Sequence, residues 1–94
     1  MRQYEVVLIL QPELEEAAVT GVLDRVKAWI AELGGSVVKV DNWGKRRMAY
    51  LIRKQREGQY YLVVAEMPSS ATNELERNLR FLEPVMRHMI TVVE

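Results

Sequence analysis

The sequence predicts an α+β domain over residues 1–94: a four-stranded antiparallel sheet with two helices on one face, in the chain order β-α-β-β-α-β. Three observations predict it. Apolar residues recur at helical spacing in two segments, 14–33 and 71–82. Four other segments, 3–11, 36–54, 59–66 and 86–93, carry β-branched apolar runs or a two-residue alternation. Right-handed crossovers between strands in this order place both helices on the same side of the sheet.

The first strand, QYEVVLILQ at 3–11, is apolar on both faces, as strands covered on both sides are. Pro12 ends it, because proline has no ladder N–H. In the first helix Val19, Val22, Leu23, Val26, Ile30 and Leu33 form the buried stripe. Glu13, Glu15 and Glu16 sit at its start, where the helix dipole favours negative charge, and Gly34 and Gly35 close it. The second strand is long, with a bulge expected at Gly44, and Glu57-Gly58 is expected to turn the chain into the third strand. Met67-Pro68-Ser69-Ser70 is a loop whose serine is available to cap the second helix. There Leu75, Leu79 and Leu82 face inward, Glu76 and Arg80 form a favourable i, i+4 pair, and Pro84 ends the helix. The whole is a ferredoxin-like split βαβ arrangement, with the first and third strands central. If Val6, Leu8 and Leu10 face the helices, Val7 and Ile9 lie on the face without helices, and an uncovered apolar patch usually marks a partner surface.

Bulk composition is that of an ordinary globular domain, 49% apolar and 28% charged. No apolar run reaches the ~18–20 residues that span a bilayer. Val6 to Leu10 lacks the flanks of a secretory signal, and the chain starts at Met1 with no targeting segment in view. With no cysteine there is no disulfide, thiolate metal site or cysteine nucleophile, which fits a reducing cytosol.

The formal net charge of zero hides a divided molecule. Residues 45–56, KRRMAYLIRKQR, hold Lys45, Arg46, Arg47, Arg53, Lys54 and Arg56, six of the thirteen basic residues, and no acid. The remainder carries seven basic against thirteen acidic residues, a balance of −6. The cations alternate with Met48, Tyr50 and Ile52, so a rigid cationic ribbon is expected, and such a ribbon suits a polyanion. A charged edge strand can instead serve only to block sheet-to-sheet association. Such an edge can mix signs, whereas one that contacts phosphate cannot. Arginine outnumbers lysine here four to two, and the guanidinium fork fits phosphate oxygens.

Other chemistries find little support. His88, the single histidine, has no obvious orienting carboxylate for general-base work. The acids at the first helix read as helix-start charges and not as a metal cluster. The loop Gln11-Pro12-Glu13-Leu14 is acidic and has no glycine to cradle phosphate. Recognition of single-stranded RNA by stacking aromatics on the third strand would need a basic-Gly-aromatic run, and Glu57-Gly58-Gln59-Tyr60-Tyr61 matches it poorly. A homo-oligomeric interaction or ligand-sensing module built on the open sheet face is the alternative reading.

The segment GKRRMAYLIRK, Gly44 to Lys54, closely resembles the signature stretch of the bacterial small ribosomal subunit protein six family. The opening MRQYEVVLIL, Glu66-Met67-Pro68 and LRFLEPVMRHMI at 79–90 resemble the same family, in the same order along the whole chain. The resemblance implies a non-enzymatic component of the ribosome, cytoplasmic with an organelle ribosome as the alternative, with no cofactor and no small-molecule substrate. It implies binding to the central domain of small-subunit ribosomal RNA, together with small-subunit protein eighteen as heterodimer partner. By position it implies that Arg46 and Arg47 contact phosphate, that Tyr50 packs or stacks, and that Arg2, Arg87 and His88 belong to the RNA surface. Val7, Ile9 and Tyr50 are the expected partner contacts. Met48 and Leu51 stand where the family often has leucine and proline. The sequence stops at Glu94 without the C-terminal extension of many members, so partner contacts made by that extension are expected to be missing.

Overall fold

Strand β1 (Arg2–Leu10), helix α1 (Glu16–Glu32), strands β2 (Ser36–Ile52) and β3 (Gln55–Met67), helix α2 (Ala71–Arg80) and strand β4 (Val85–Val92) follow in this order in a computed structural model. It describes residues 1–93, so the expectation about the chain end at Glu94 lies outside the described residues. The strands form one antiparallel sheet in the order β2-β3-β1-β4. As the apolar character of both runs predicts, β1 and β3 are central.

The core lies between the sheet and the helices. Val6, Leu8 and Leu10 of β1 are fully buried there against Val26 and Ile30 of α1 and Leu75 and Leu79 of α2. Full burial of one such side chain contributes about 1.5–3 kcal/mol. The stripes read at helical spacing are therefore what dock the two helices.

The first helix begins at Glu16, two residues later than its apolar periodicity suggests, and of the three acids only Glu16 lies in its first turn. It ends in a Schellman motif: Gly34 N–H donates to Ala31 O at 3.1 Å and Gly35 N–H to Ile30 O at 2.9 Å. Gly34 takes φ +86°, the left-handed conformation that glycine adopts without strain. The Gln59 amide donates to the carbonyls of Gln11, Pro12 and Leu14 at 3.1, 3.3 and 3.0 Å, which ties the β1–α1 connection to β3.

Two expected local features differ. Ser70 precedes α2 in a helical conformation, and its side chain makes no capping bond. Instead the Thr72 hydroxyl donates to Ser69 O at 2.9 Å. The second helix also stops at Arg80, short of Leu82; the Glu76–Arg80 pair forms, at 3.0 Å.

The larger difference is the hairpin. The chain reverses at Arg53-Lys54 and not at Glu57-Gly58, which belong to β3. Both turn residues have positive φ, 51° and 65°, the signature of a two-residue hairpin turn whose twist matches its strands. Gly58 is buried, and a Cβ on it would stand 2.4 Å from Ile9 Cγ2. It is glycine because β1 passes too close for a side chain.

Candidate nucleic-acid interface

The β2–β3 hairpin carries the basic cluster past the end of β1. Pairing runs regularly through Lys45↔Gln59, Arg46↔Gly58 and Arg47↔Glu57, then resumes only at Ile52↔Gln55. Met48, Ala49, Tyr50 and Leu51 thus face Arg56 alone, and the expected regular ribbon gives way to a broad bulge. Alternation holds for Lys45 to Arg47 and fails beyond. Leu51 has no ladder partner, so the N–H it keeps where the family often has proline does not extend the sheet.

The bulge folds the hairpin toward the face without helices. Val7, Ile9, Tyr60 and Met89 on that face meet Met48, Tyr50 and Ile52 around an apolar groove of about 240 Å³. The expectation of an uncovered Val7 and Ile9 patch is therefore corrected: Val7 is half-buried and Ile9 buried. The exposed apolar side chains at this site are Tyr50, Leu51 and Met89. Arg87 lies over Tyr50, with its guanidinium carbon 5.7 Å from the ring centroid.

Arg53 holds this arrangement. Its guanidinium donates to Glu83 O at 2.7 Å and to Val85 O at 3.2 Å, clamping the turn to the start of β4. This corrects the expectation of a strand arginine free for phosphate, since part of its donor fork is already committed to carbonyls. The same bonds offset the cost of a left-handed backbone at a non-glycine residue, about 1–3 kcal/mol. Replacing Arg53 with alanine is expected to lower unfolding stability by about 1–2 kcal/mol, read from urea midpoints at constant slope. An unchanged midpoint would show that the clamp contributes nothing.

The remaining cations are freer. Among the described residues the recorded ion pairs are Lys39–Asp41 and Glu76–Arg80, and neither involves Lys45, Arg46, Arg47, Lys54 or Arg56. Lys45, Lys54 and Arg56 line one surface groove with Pro12, Gln55 and two acids, Glu13 and Glu57. The acid-free stretch of sequence is thus not acid-free in space. Arg46 lies over Trp43, 5.2 Å from the ring centroid.

Two expected members, Arg2 and His88, stand apart, whereas Arg87 joins the hairpin through Tyr50. Arg2 pairs with Met67 at the far end of the sheet, whereas the hairpin extends beyond the Leu10 end. Arg87 lies opposite Ile9 and His88 opposite Leu8, so the two adjacent residues project from opposite faces. His88 is half-buried on the helix side; burial, chiefly, lowers its pKa from the ordinary value, helped by Arg80 and opposed by Glu76. Desolvation thus favours the neutral imidazole, which carries no charge for phosphate. Trp43 was not singled out by the charge pattern, although an aromatic residue two positions before a basic run was the available signal.

No helix among the described residues is long and apolar enough to cross a membrane, and no cluster of three or more potential metal ligands is present among them. The profile of the family described as ribosomal protein S6 matches residues 3–92. The small ribosomal subunit protein bS6 of Moorella thermoacetica is 46% identical over all of this chain and 96% of its own length. That of Desulforamulus reducens is 43% identical over 96% of this chain and 95% of its own. The crystal structure of 30S ribosomal protein S6 from Thermotoga maritima superposes with a TM-score of 0.90 at 30% identity, covering 98% of this chain and 87% of that one. A match to the family over nearly the whole chain, in sequence and in topology, establishes that the chain belongs to the ribosomal protein S6 family, a structural component of the small ribosomal subunit and not an enzyme.

Proposed function

We propose that the chain binds the central domain of small-subunit ribosomal RNA through the β2–β3 hairpin, and that it does so with small-subunit protein eighteen as its partner. The observation that carries this reading is the projecting hairpin with Lys45, Arg46, Arg47, Lys54 and Arg56 exposed and outside any recorded ion pair. A cationic edge of this kind gains affinity by releasing counterions from phosphates. Arg87, beside Tyr50 at the same end of the sheet, extends the surface. Arg53 serves it indirectly, by setting the direction of the hairpin. Val7 and Ile9 lie beneath the hairpin, which leaves Tyr50 and Met89 as the apolar side chains that reach a partner.

A partner is required on electrostatic grounds. Outside residues 45–56 the chain carries a balance of −6, which opposes a second approach of RNA. The partner therefore supplies further positive charge. Titrating a labelled central-domain RNA fragment with the protein alone, then with protein eighteen added, tests this. Affinity is expected to rise at least about tenfold with the partner, equivalent to about 1.4 kcal/mol. Equal affinity with and without it would remove the partner from the proposal. No RNA binding in either case would remove the RNA.

A further inference from the structure

We infer that Trp43 and Arg46 form a single-nucleotide site, with an unpaired RNA base stacked on the Trp43 ring and the adjoining phosphate held by the Arg46 guanidinium. The inference rests on the proposed RNA binding and names a contact within it.

The backbone here is shaped for presentation. Pairing shifts between Asn42 and Gly44, which makes Trp43 the extra residue of a bulge on edge strand β2. The Asn42 carboxamide oxygen accepts the Gly44 N–H at 2.7 Å, and Gly44 has φ +77°. A Cβ on Gly44 would meet nothing within 4 Å, so glycine is needed for conformation and not for room. The bulge places a large aromatic side chain on the edge strand, where 39% of it stays exposed. Binding can bury the part that remains exposed.

Arg46 completes the site. Its guanidinium carbon lies 5.2 Å from the ring centroid, which places the fork beside the ring. Among the described residues no carboxylate pairs with that guanidinium and no carbonyl accepts from it, so its N–H donors are uncommitted. A held and unused guanidinium suits a phosphate in two-pronged geometry. An exposed aromatic ring takes any unpaired base, because every base has a π face. A nucleotide carries both parts side by side, and single-stranded RNA presents them where a duplex hides the base faces. Lys45 and Arg47 adjoin Arg46 on the same edge strand and alternate to its other face, and their charge favours a polyanion over a neutral partner. Tryptophan beside arginine also occurs at protein interfaces, so contact with protein is the rival outcome.

The test uses a Trp29→Phe background, which leaves Trp43 as the sole tryptophan, and the labelled central-domain RNA fragment at low salt. Stacking is expected to quench Trp43 emission on RNA addition. Trp43→Leu is expected to weaken RNA binding about tenfold while Trp43→Phe keeps most of the affinity. Urea midpoints of the variants separate folding from binding. Unquenched emission together with wild-type affinity of Trp43→Leu would overturn the inference, and the RNA reading would stand if Arg46→Ala with Arg47→Ala still weakened binding. Loss of protein eighteen binding by Trp43→Leu, with RNA affinity intact, would assign the ring to protein and overturn it equally.

Discussion

Replacing Gly35 with alanine lowers the unfolding free energy by about 3 kcal/mol, near the upper end of ordinary overpacking costs. An added Cβ would stand 2.5 Å from Glu66 O, 2.8 Å from Met67 Cβ and 3.0 Å from Ile30 Cγ2. The nearest of these is backbone in central strand β3, so no rotamer change removes it. Met67 and Ile30 are fully buried core members, and neither can swing away without opening a void. Relief requires α1 to back off the sheet at its C-terminal end, which also loosens the Schellman bond from Gly35 N–H to Ile30 O. For a domain of this size the change corresponds to a fall of roughly 10–20 °C in Tm. Gly34→Ala is the control: its Cβ meets only Pro68 Cγ, at 3.9 Å, and its cost is the strain of φ +86°, about 1 kcal/mol. Urea unfolding of both variants at equal slope checks the pair. A Gly35→Ala midpoint no lower than that of Gly34→Ala would show that the helix end yields freely and that steric contact is not what requires Gly35.

The two glycines show why sequence reads some features and misses others. A Gly-Gly pair after an apolar helical stripe has one common local meaning, a helix end, and α1 ends there. Glu57-Gly58 carries an equally local turn signal and is wrong, because Gly58 answers to Ile9 and Leu10 of β1, which lie far away in the chain. Close approach leaves no mark on its own neighbourhood. The true turn, Arg53-Lys54, has no turn-favouring residue, and its left-handed backbone is held by carbonyls of Glu83 and Val85. Sheet order was legible because Val6, Leu8 and Leu10 alternate with Val7 and Ile9, a pattern that only a central strand buries on both sides. The basic cluster was legible as charge and not as shape: the bulge from Met48 to Leu51 and the acids Glu13 and Glu57 beside the groove arise from pairing. The separation of Arg87 from His88 follows from strand alternation alone and was available to a sequence reading that applied it.

Removing Arg46 and Arg47 together weakens binding to central-domain RNA by about 100-fold, equivalent to about 3 kcal/mol for two charge-assisted contacts. Salt dependence discriminates better than affinity. If both guanidinium groups neutralise phosphates, the slope of log affinity against log salt falls by about 1.4–1.8, the loss of two released counterions. Arg46 lies opposite Gly58 and Arg47 opposite Glu57 on the exposed hairpin, so neither substitution removes a buried contact and folding is preserved. Arg25→Ala with Lys27→Ala removes the same charge from α1, outside the hairpin, and is expected to change affinity by less than about threefold. An equal loss in both double variants would mean that net charge and not hairpin geometry drives association. An unchanged slope in the Arg46, Arg47 variant would mean that these arginines do not meet phosphate. Outside residues 45–56 the chain sums to −6, so the cations of the projecting hairpin, Arg46 and Arg47 among them, dominate the local field, which is why so small a change carries so large an expected effect.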